Sequence, residues 1–108
     1  MKQLTWNEIL QSYAQKPRDV ITRKNGKWFF TYTEENDVYI EPGRNHANRS
    51  KITVRRRLDK KNFEKVLDMY IRNEPRVKIR DVTQNSSYWI GIFAELLEKS
   101  QVDMEEHI

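Results

Sequence analysis

A run of positively charged side chains in the middle of the chain is the part of the sequence best suited to chemistry, and that chemistry is anion binding. Residues 49–61 carry seven basic groups and one acidic group, whereas residues 81–108 carry one basic and six acidic groups. Guanidinium groups match phosphate oxygens, and clustered Lys and Arg are the electrostatic footprint of nucleic-acid binding. The pattern predicts an anionic partner near residues 44–61, with the acidic C-terminus as an internal competitor or a solvated end.

The residues that we expect to contact nucleic acid lie in two parts of the chain. The polar loop 41–50 and the strand after it supply most of them, and the first hairpin supplies the rest: Arg44, Arg49, Lys51, Arg55, Arg56, Arg57, Arg23, Lys27 and Trp28. Three successive arginines cannot all point the same way from a strand, so at least one must lie on the other face or at the strand's end. A basic surface that is only solvated is the alternative interpretation.

No catalytic or cofactor-binding motif accompanies the basic stretch. The chain has no cysteine, and it lacks a Walker A loop, GxGxxG, HExxH and GxSxG. His46 stands without a second histidine at ligand spacing, so we expect neither a metal site nor catalysis there. A metal-dependent nuclease is conceivable from four carboxylates, although a solvated turn explains them better: Glu34, Glu35, Asp37 and Glu41. We therefore expect a non-enzymatic protein without cofactor or metal.

Helices are predicted on both sides of the basic stretch. Residues 4–15 place Trp6, Ile9 and Tyr13 on one helical face. Residues 59–73 form the best-defined helix, with Asp59 as its N-cap and with Asn73 and the following proline as its stop signals.

The C-terminal part of the chain gives a less uniform pattern. The segment after Asn85 carries the widest apolar face, which predicts the most buried helix, and Gly91 within it predicts a close backbone approach. Residues 76–82 alternate in polarity like a short strand, and we expect an irregular basic connection there.

The strands form a predicted meander. DVITRK and KWFFTY flank Asn25-Gly26, a pair suited to a two-residue type I′ turn that would place Arg23 opposite Trp28. A second turn at residues 34–37 returns the chain as a third strand through Glu41. Residues 51–58 alternate as a fourth strand with Ile52 and Val54 directed inward.

The predicted architecture is an α+β domain. It consists of an N-terminal helix, an antiparallel three- to four-stranded meander and two C-terminal helices packed on the sheet. Residues 1–100 form the single domain, and residues 101–108 form an acidic tail that is expected to fray. The start of the chain lacks the profile of a signal peptide and no apolar run approaches about 18 residues, so we expect a cytoplasmic protein without a membrane segment.

Two versions of nucleic-acid binding remain open. In the first, the C-terminal helices act like a helix-turn-helix, with residues 84–88 at base edges; only about eight residues are available for the middle helix and its turn. In the second, which we prefer, hairpin and fourth strand form a basic and aromatic sheet face that enters a groove or stacks on unpaired bases. The expected partner is nucleic acid, DNA before RNA, or else an acidic protein bound by an interaction module; a homodimer is a further candidate.

Overall fold

A four-stranded antiparallel sheet forms the centre of the structure, a computed structural model that describes residues 4–98. The strands follow the chain in the order β1 (Arg18–Ile21), β2 (Trp28–Glu34), β3 (Asp37–Pro42) and β4 (Arg56–Leu58). Each pairs only with its neighbours in sequence, so the sheet is a meander. The predicted α+β class is therefore confirmed.

The helices pack against one face of this sheet. They are α1 (Trp6–Gln15), α2 (Lys60–Ile71), α3 (Arg76–Val82) and α4 (Ser86–Phe93), and a π-helical turn, Ala94–Glu98, continues α4. Within residues 4–98, no helix is long and apolar enough to span a membrane. The tail predicted at residues 101–108 lies outside the described part of the chain.

Side-chain alternation along the strands divides the sheet into two different faces. The inner face joins the helices in one hydrophobic core, and its residues are almost fully buried: Val20, Phe29, Val38, Ile40 and Leu58. The opposite face, called the outer face below, presents the side chains of Trp28, Phe30 and Tyr32 from β2 and of Tyr39 from β3. None of these four aromatic residues belongs to the core cluster.

The predicted N-cap of α2 is confirmed, and α1 also begins with a side-chain cap. Thr5 and Glu8 form a capping box at the start of α1. The Asp59 carboxylate accepts a hydrogen bond of 2.9 Å from the backbone N–H of Lys61 at the start of α2. Beyond the C-terminal end of α2, Asn73 adopts the left-handed conformation, with a φ of 58°. These short-range signals act without tertiary help, which is why the sequence reveals them.

The first hairpin differs from its prediction by two residues of register. Ile21, and not Arg23, lies opposite Trp28. Gly26 has a φ of 62° but Asn25 does not have a positive φ, so the type I′ turn does not form. Instead Thr22 closes a longer loop: its N–H donates to the carbonyl of Lys27 (2.9 Å) and its Oγ1 accepts from the N–H of Lys27 (3.0 Å). A slip of two residues preserves the alternation, so Trp28 and Phe30 still share one face and Phe29 lies on the other, whereas Arg23 lies outside the sheet.

Two further expectations were wrong. Residues 76–82 form a helix and not an irregular connection: the carbonyl of Pro75 accepts the N–H of Lys78, and the i,i+3 pair Ile79 and Val82 packs on the core. The fourth strand is shorter than predicted and contains only Arg56–Leu58; Ile52 is buried as expected, but Val54 is 72% exposed.

The predicted close approach at Gly91 is confirmed. A Cβ at this position would lie 2.8 Å from the carbonyl oxygen of Ile21 and 3.2 Å from Cε1 of Phe29. Only glycine therefore allows α4 to pack this closely against β1 and the inner face.

We predict that Gly91→Ala destabilises the protein by about 1–2 kcal/mol, because overpacking against backbone outweighs the better helix propensity of alanine. Urea denaturation followed by circular dichroism measures the change. Gln11→Ala, at an exposed position of α1, is the control and should stay within about 0.5 kcal/mol of wild type. An equally stable Gly91→Ala variant would contradict the close packing of α4 on the sheet.

Candidate nucleic-acid interface

The outer face carries a continuous row of aromatic rings. The ring centroids of Phe30 and Tyr32 lie 6.0 Å apart, and those of Tyr32 and Tyr39 lie 5.8 Å apart at an interplanar angle of 22°. Trp28, Phe30 and Tyr32 occupy alternate positions of β2 and thus extend over about 13 Å. Rings arranged in this way on an antiparallel sheet form a platform on which planar groups can stack.

Guanidinium groups lie directly over two of these rings. The guanidinium carbon of Arg44 is 4.0 Å from the ring centroid of Phe30, and that of Arg55 is 4.2 Å from the centroid of Tyr39. Arg57 lies opposite Tyr39 in the strand register and so projects from the same face. The outer face therefore combines aromatic rings with the positive charge of Arg44, Arg55 and Arg57.

Carboxylates of the protein hold most of these arginines. Glu34 lies 2.5 Å from Arg55, whose Nη1 also donates to the hydroxyl of Tyr32 (3.2 Å). Glu41 lies 3.4 Å from Arg44. The hydrogen bond from Tyr32 and the guanidinium of Arg44 lower the pKa of Glu41, which keeps this carboxylate ionised. The ion pairs are solvent-exposed, and pairs of this kind are weak enough for another anion to displace.

The loop 41–50, which was predicted to contact an anion, already binds a carboxylate of the protein itself. The carboxylate of Asp19, buried beside β2, accepts hydrogen bonds from the backbone N–H groups of Arg44 (2.8 Å) and Asn45 (2.7 Å) and pairs with Nδ1 of His46 (2.9 Å). Burial raises the pKa of Asp19, but the hydrogen bonds lower it by more than burial raises it. The pKa of Asp19 therefore lies below its ordinary value. The backbone of the loop is thus fixed from within, and its side chains remain available to solvent.

Trp28 links this loop to the sheet. Its indole stacks on the imidazole of His46, with ring centroids 3.5 Å apart and an interplanar angle of 7°. Its carbonyl accepts the N–H groups of Gly43 (3.0 Å) and Ser50 (2.8 Å), and its N–H donates to the carbonyl of Asn48. The expected contact between Arg23 and Trp28 was wrong: Arg23 lies in the hairpin loop and forms an ion pair with Glu98.

The predicted binding residues do not form a single patch. Arg55 and Arg57 share the outer face, but Arg56 lies on the inner side, where its Nη1 donates to Oδ1 of Asn85 (3.3 Å) and its guanidinium is 5.7 Å from the ring of Tyr88. Successive side chains of a strand point to opposite faces of the sheet, so Arg56 and Arg57 must lie on opposite sides. Positive charge that is contiguous in sequence is therefore divided between two sides of the molecule.

The remaining predicted cations, Lys27, Arg49 and Lys51, lie outside the four strands. Lys27 donates to Oδ1 of Asn48 at 2.8 Å. Arg49 forms an isolated bridge with Trp28 through its backbone, and Lys51 follows the buried Ser50. Within residues 4–98, the side chains of Arg49, Lys51 and Arg57 make no hydrogen bond or ion pair.

The sequence interpretation missed three residues of the site. Tyr39 could have been found, because it stands opposite Tyr32 once the 34–37 turn is accepted. Asp19 gave a weaker signal, an acidic residue in a strand whose neighbour Val20 is apolar. The stacking of His46 on Trp28 depends on how the loop folds, and no local pattern indicates it.

Neither the metal site nor the helix-turn-helix gains support. In the described part of the chain, no group of three or more His, Asp or Glu side chains could hold a metal ion. The middle helix α3 does fit between α2 and α4, contrary to the length argument. However, Trp89 to Phe93 of α4 are all buried and Tyr88 packs edge-on against Phe29, so most of α4 belongs to the core.

Comparison of the chain with protein-family models, with curated proteins and with solved structures found no match. The geometry of the outer face is therefore the basis for any statement about function.

We predict that Asp19→Asn releases the loop 43–50 and destabilises the protein by about 1–3 kcal/mol, since the asparagine keeps only one acceptor oxygen and has no charge for His46. The emission of Trp28 should change as its imidazole partner is lost, against the constant signal of the buried Trp6 and Trp89. Unfolding followed by circular dichroism, together with the difference in tryptophan emission between wild type and Asp19→Asn, measures both effects.

The pH dependence of the unfolding free energy provides a second test of the role of Asp19. A carboxyl whose folded pKa is lowered stabilises the protein above its unfolded pKa, and this contribution disappears as the pH falls through the folded value. Wild type should therefore lose part of its unfolding free energy on acidification from about pH 5 to below pH 4, the ordinary range of an aspartate. Asp19→Asn should lose less over that interval. Equal acid sensitivity of both proteins would contradict the role of Asp19.

Proposed function

We propose that this protein is a small non-enzymatic nucleic-acid-binding protein whose outer face binds single-stranded nucleic acid. The observation that supports this most directly is the row of Phe30, Tyr32 and Tyr39 beneath and beside the guanidinium groups of Arg44 and Arg55. Aromatic rings on an antiparallel sheet stack on unpaired bases, and neighbouring cations neutralise phosphates. Two or three bases fit the length of the row.

The dimensions of the sheet favour single strands over duplex. Four strands separated by about 4.8 Å give a surface about 14 Å wide before side chains are added. The major groove of B-DNA is about 12 Å wide and admits a helix or a two-stranded ribbon, not a sheet of this width. The rings, moreover, would have no exposed base faces to stack on in a duplex.

The arginines serve two purposes in this proposal. Arg57 and Arg49, unpaired among residues 4–98, contact phosphates directly. Arg44 and Arg55 exchange their exposed pairs with Glu41 and Glu34 for contacts to the incoming strand, either with its phosphates or by stacking on its bases. Before nucleic acid binds, the carboxylates of Glu41 and Glu34 pair with these arginines in its place.

A protein-interaction module is the second candidate. Tyr, Trp and Arg are the residues most enriched in binding hot spots, and Val54 is 72% exposed immediately before Arg55. An acidic protein segment would meet the same face and the same cations. The experiments below separate the two, because stacking on bases and neutralising phosphates give signatures that a protein partner does not.

We predict that Tyr32→Leu and Tyr39→Leu each weaken binding of a single-stranded oligonucleotide about fivefold or more, because one base–aromatic stack is worth about 1–3 kcal/mol. Fluorescence anisotropy with a labelled oligodeoxynucleotide and its RNA counterpart measures the affinity and decides between DNA and RNA. Tyr32→Phe and Tyr39→Phe keep the ring and should bind nearly as wild type. Absence of binding to any single strand at low salt would exclude this function and favour the protein-interaction module.

We predict that the affinity for a single strand falls with salt, with a slope of log K against log salt near −2.8 if about four phosphates are contacted. Arg57→Gln should reduce the magnitude of this slope by about 0.7, since one phosphate contact is lost. Lys65→Gln, an exposed charge on α2, is the matched control and should leave the slope unchanged. Equal slopes for the two variants would place Arg57 outside the interface.

A further inference from the structure

His46 lies at one end of the aromatic row and has a ring nitrogen that no other residue of the site uses. Its Nδ1 lies 2.9 Å from a carboxylate oxygen of Asp19, and its ring stacks on the indole of Trp28. The side chain is nevertheless 44% exposed, and within residues 4–98 its Nε2 has no hydrogen-bond partner. Because the two nitrogens of an imidazole point in widely different directions, Nε2 is directed away from the buried carboxylate.

Asp19 determines which nitrogen of His46 carries the proton. The side chain of Asp19 is only 1% exposed. Burial raises its pKa, but the hydrogen bonds from the loop lower it by more, so the carboxylate is ionised at neutral pH. An ionised carboxylate can only accept, so the neutral imidazole must place its proton on Nδ1. Nε2 of the neutral ring is therefore an acceptor, and an acceptor repels the oxygens of a phosphate group.

Protonation reverses the character of Nε2. In the imidazolium form both ring nitrogens donate, so Nε2–H becomes a charged donor of the kind that phosphate oxygens bind. The added charge lies between the carboxylate of Asp19, at 2.9 Å, and the face of Trp28, which stabilise a cation by ion pairing and by cation–π attraction. The neutral and the charged ring thus occupy the same position, and only the charged ring suits a phosphate.

The other charged groups on the elements around His46 keep their charge while a histidine titrates. They come from β1, the end of β3, the loop and the residue before β2: Asp19, Glu41, Arg44, Arg49 and Lys27. Histidine changes its charge between about pH 5 and 8, whereas lysine and arginine side chains titrate far above this interval. The pKa values of Asp19 and Glu41 lie below the ordinary range of their side chains, so both carboxylates stay ionised throughout it.

We propose that His46 is a proton-dependent phosphate contact of the outer face, so that the protein binds a single strand more tightly in mildly acidic solution than in mildly basic solution. The inference rests on the function proposed above, because it adds a regulated contact to the same face. The ligand is an internal phosphodiester of the strand, whose negative charge is constant over this pH range. Its contact with Nε2 couples binding to the uptake of up to one proton.

Calorimetric titration with an oligothymidylate that has hydroxyl ends tests the proposal, because neither thymine nor a phosphodiester changes its charge between about pH 8 and about pH 5.5. At constant ionic strength, binding should be about three- to fivefold tighter at the lower pH, which is the contribution of one exposed charge pair. The slope of log K against log salt should be larger in magnitude by about 0.7 at the lower pH, since one more phosphate is contacted.

Two variants of His46 separate the effect of the proton from the position of the ring. His46→Phe keeps an aromatic ring for stacking on Trp28, whereas His46→Gln keeps a side-chain donor for Asp19, and neither new side chain titrates. Both variants should bind the strand equally well, and with the same salt slope, at the two pH values. His107→Gln removes the other of the two histidines in the chain. It is the matched control and should keep the full pH dependence.

NMR titration of the His46 ring measures the same coupling from the side of the proton. Linkage is reciprocal, so a strand that binds the protonated ring more tightly must also make the ring easier to protonate. Saturation with the oligothymidylate should therefore raise the midpoint of the ring's titration by about 0.5–0.7 in pH, the logarithm of the expected affinity ratio.

The outcomes separate this inference from the proposed function. Wild-type binding that is equally tight at both pH values would overturn the inference and leave single-strand binding in place. The inference would equally be overturned by a pH dependence that persists in either His46 variant, or by tighter binding at low pH without the steeper salt dependence that a phosphate contact requires. Failure to bind the strand at either pH would exclude the proposed function itself, and the inference with it.

Discussion

The burial of one face of the meander against the helices is the constraint on which the rest of the structure depends. Phe29 and Thr31 are completely buried on the inner face, and α4 can approach Phe29 only because residue 91 is a glycine. Since successive side chains of a strand point to opposite faces, this burial forces Trp28, Phe30 and Tyr32 outward. The aromatic row is therefore a direct consequence of how the core is built, and it costs the fold no additional element.

Once the rings are outside the core, electrostatics determines what covers them. Phe30 is only 9% exposed although no helix lies on it, because the guanidinium of Arg44 lies over its ring. Glu34 and Glu41 hold the two stacked arginines in place, and solvent-exposed pairs of this kind contribute little net free energy. The cover is thus held by weak, exposed ion pairs, and the proposed binding of nucleic acid requires its displacement.

Much of the fold could be predicted from local signals, and the features that were predicted wrongly depend on contacts that only the folded chain makes. The Asp59 cap and the Asn73 stop of α2 depend on neighbouring residues alone. The hairpin register depends on the hydroxyl of Thr22, which captures the N–H of Lys27 and lengthens the loop beyond Asn25-Gly26. The helix α3 depends on Ile79 reaching the core, and an alternating pattern of seven residues fits a short helix as well as a strand. The geometry of the candidate site follows the same division: strand parity already separates Arg56 from Arg57, but only the folded loop brings His46 to Trp28 and Asp19.

The backbone of Trp28 connects β2 to the loop beside the outer face. Its carbonyl and N–H hold residues 43, 48 and 50, so that a single residue anchors both ends of this loop. Asp19 fixes the near end of that loop, whereas Lys27 fixes Asn48 at its far end. A strand that stacks on the outer face, as proposed, would therefore meet a loop whose backbone is already fixed at both ends, so that only the side chains of the loop would have to reorganise.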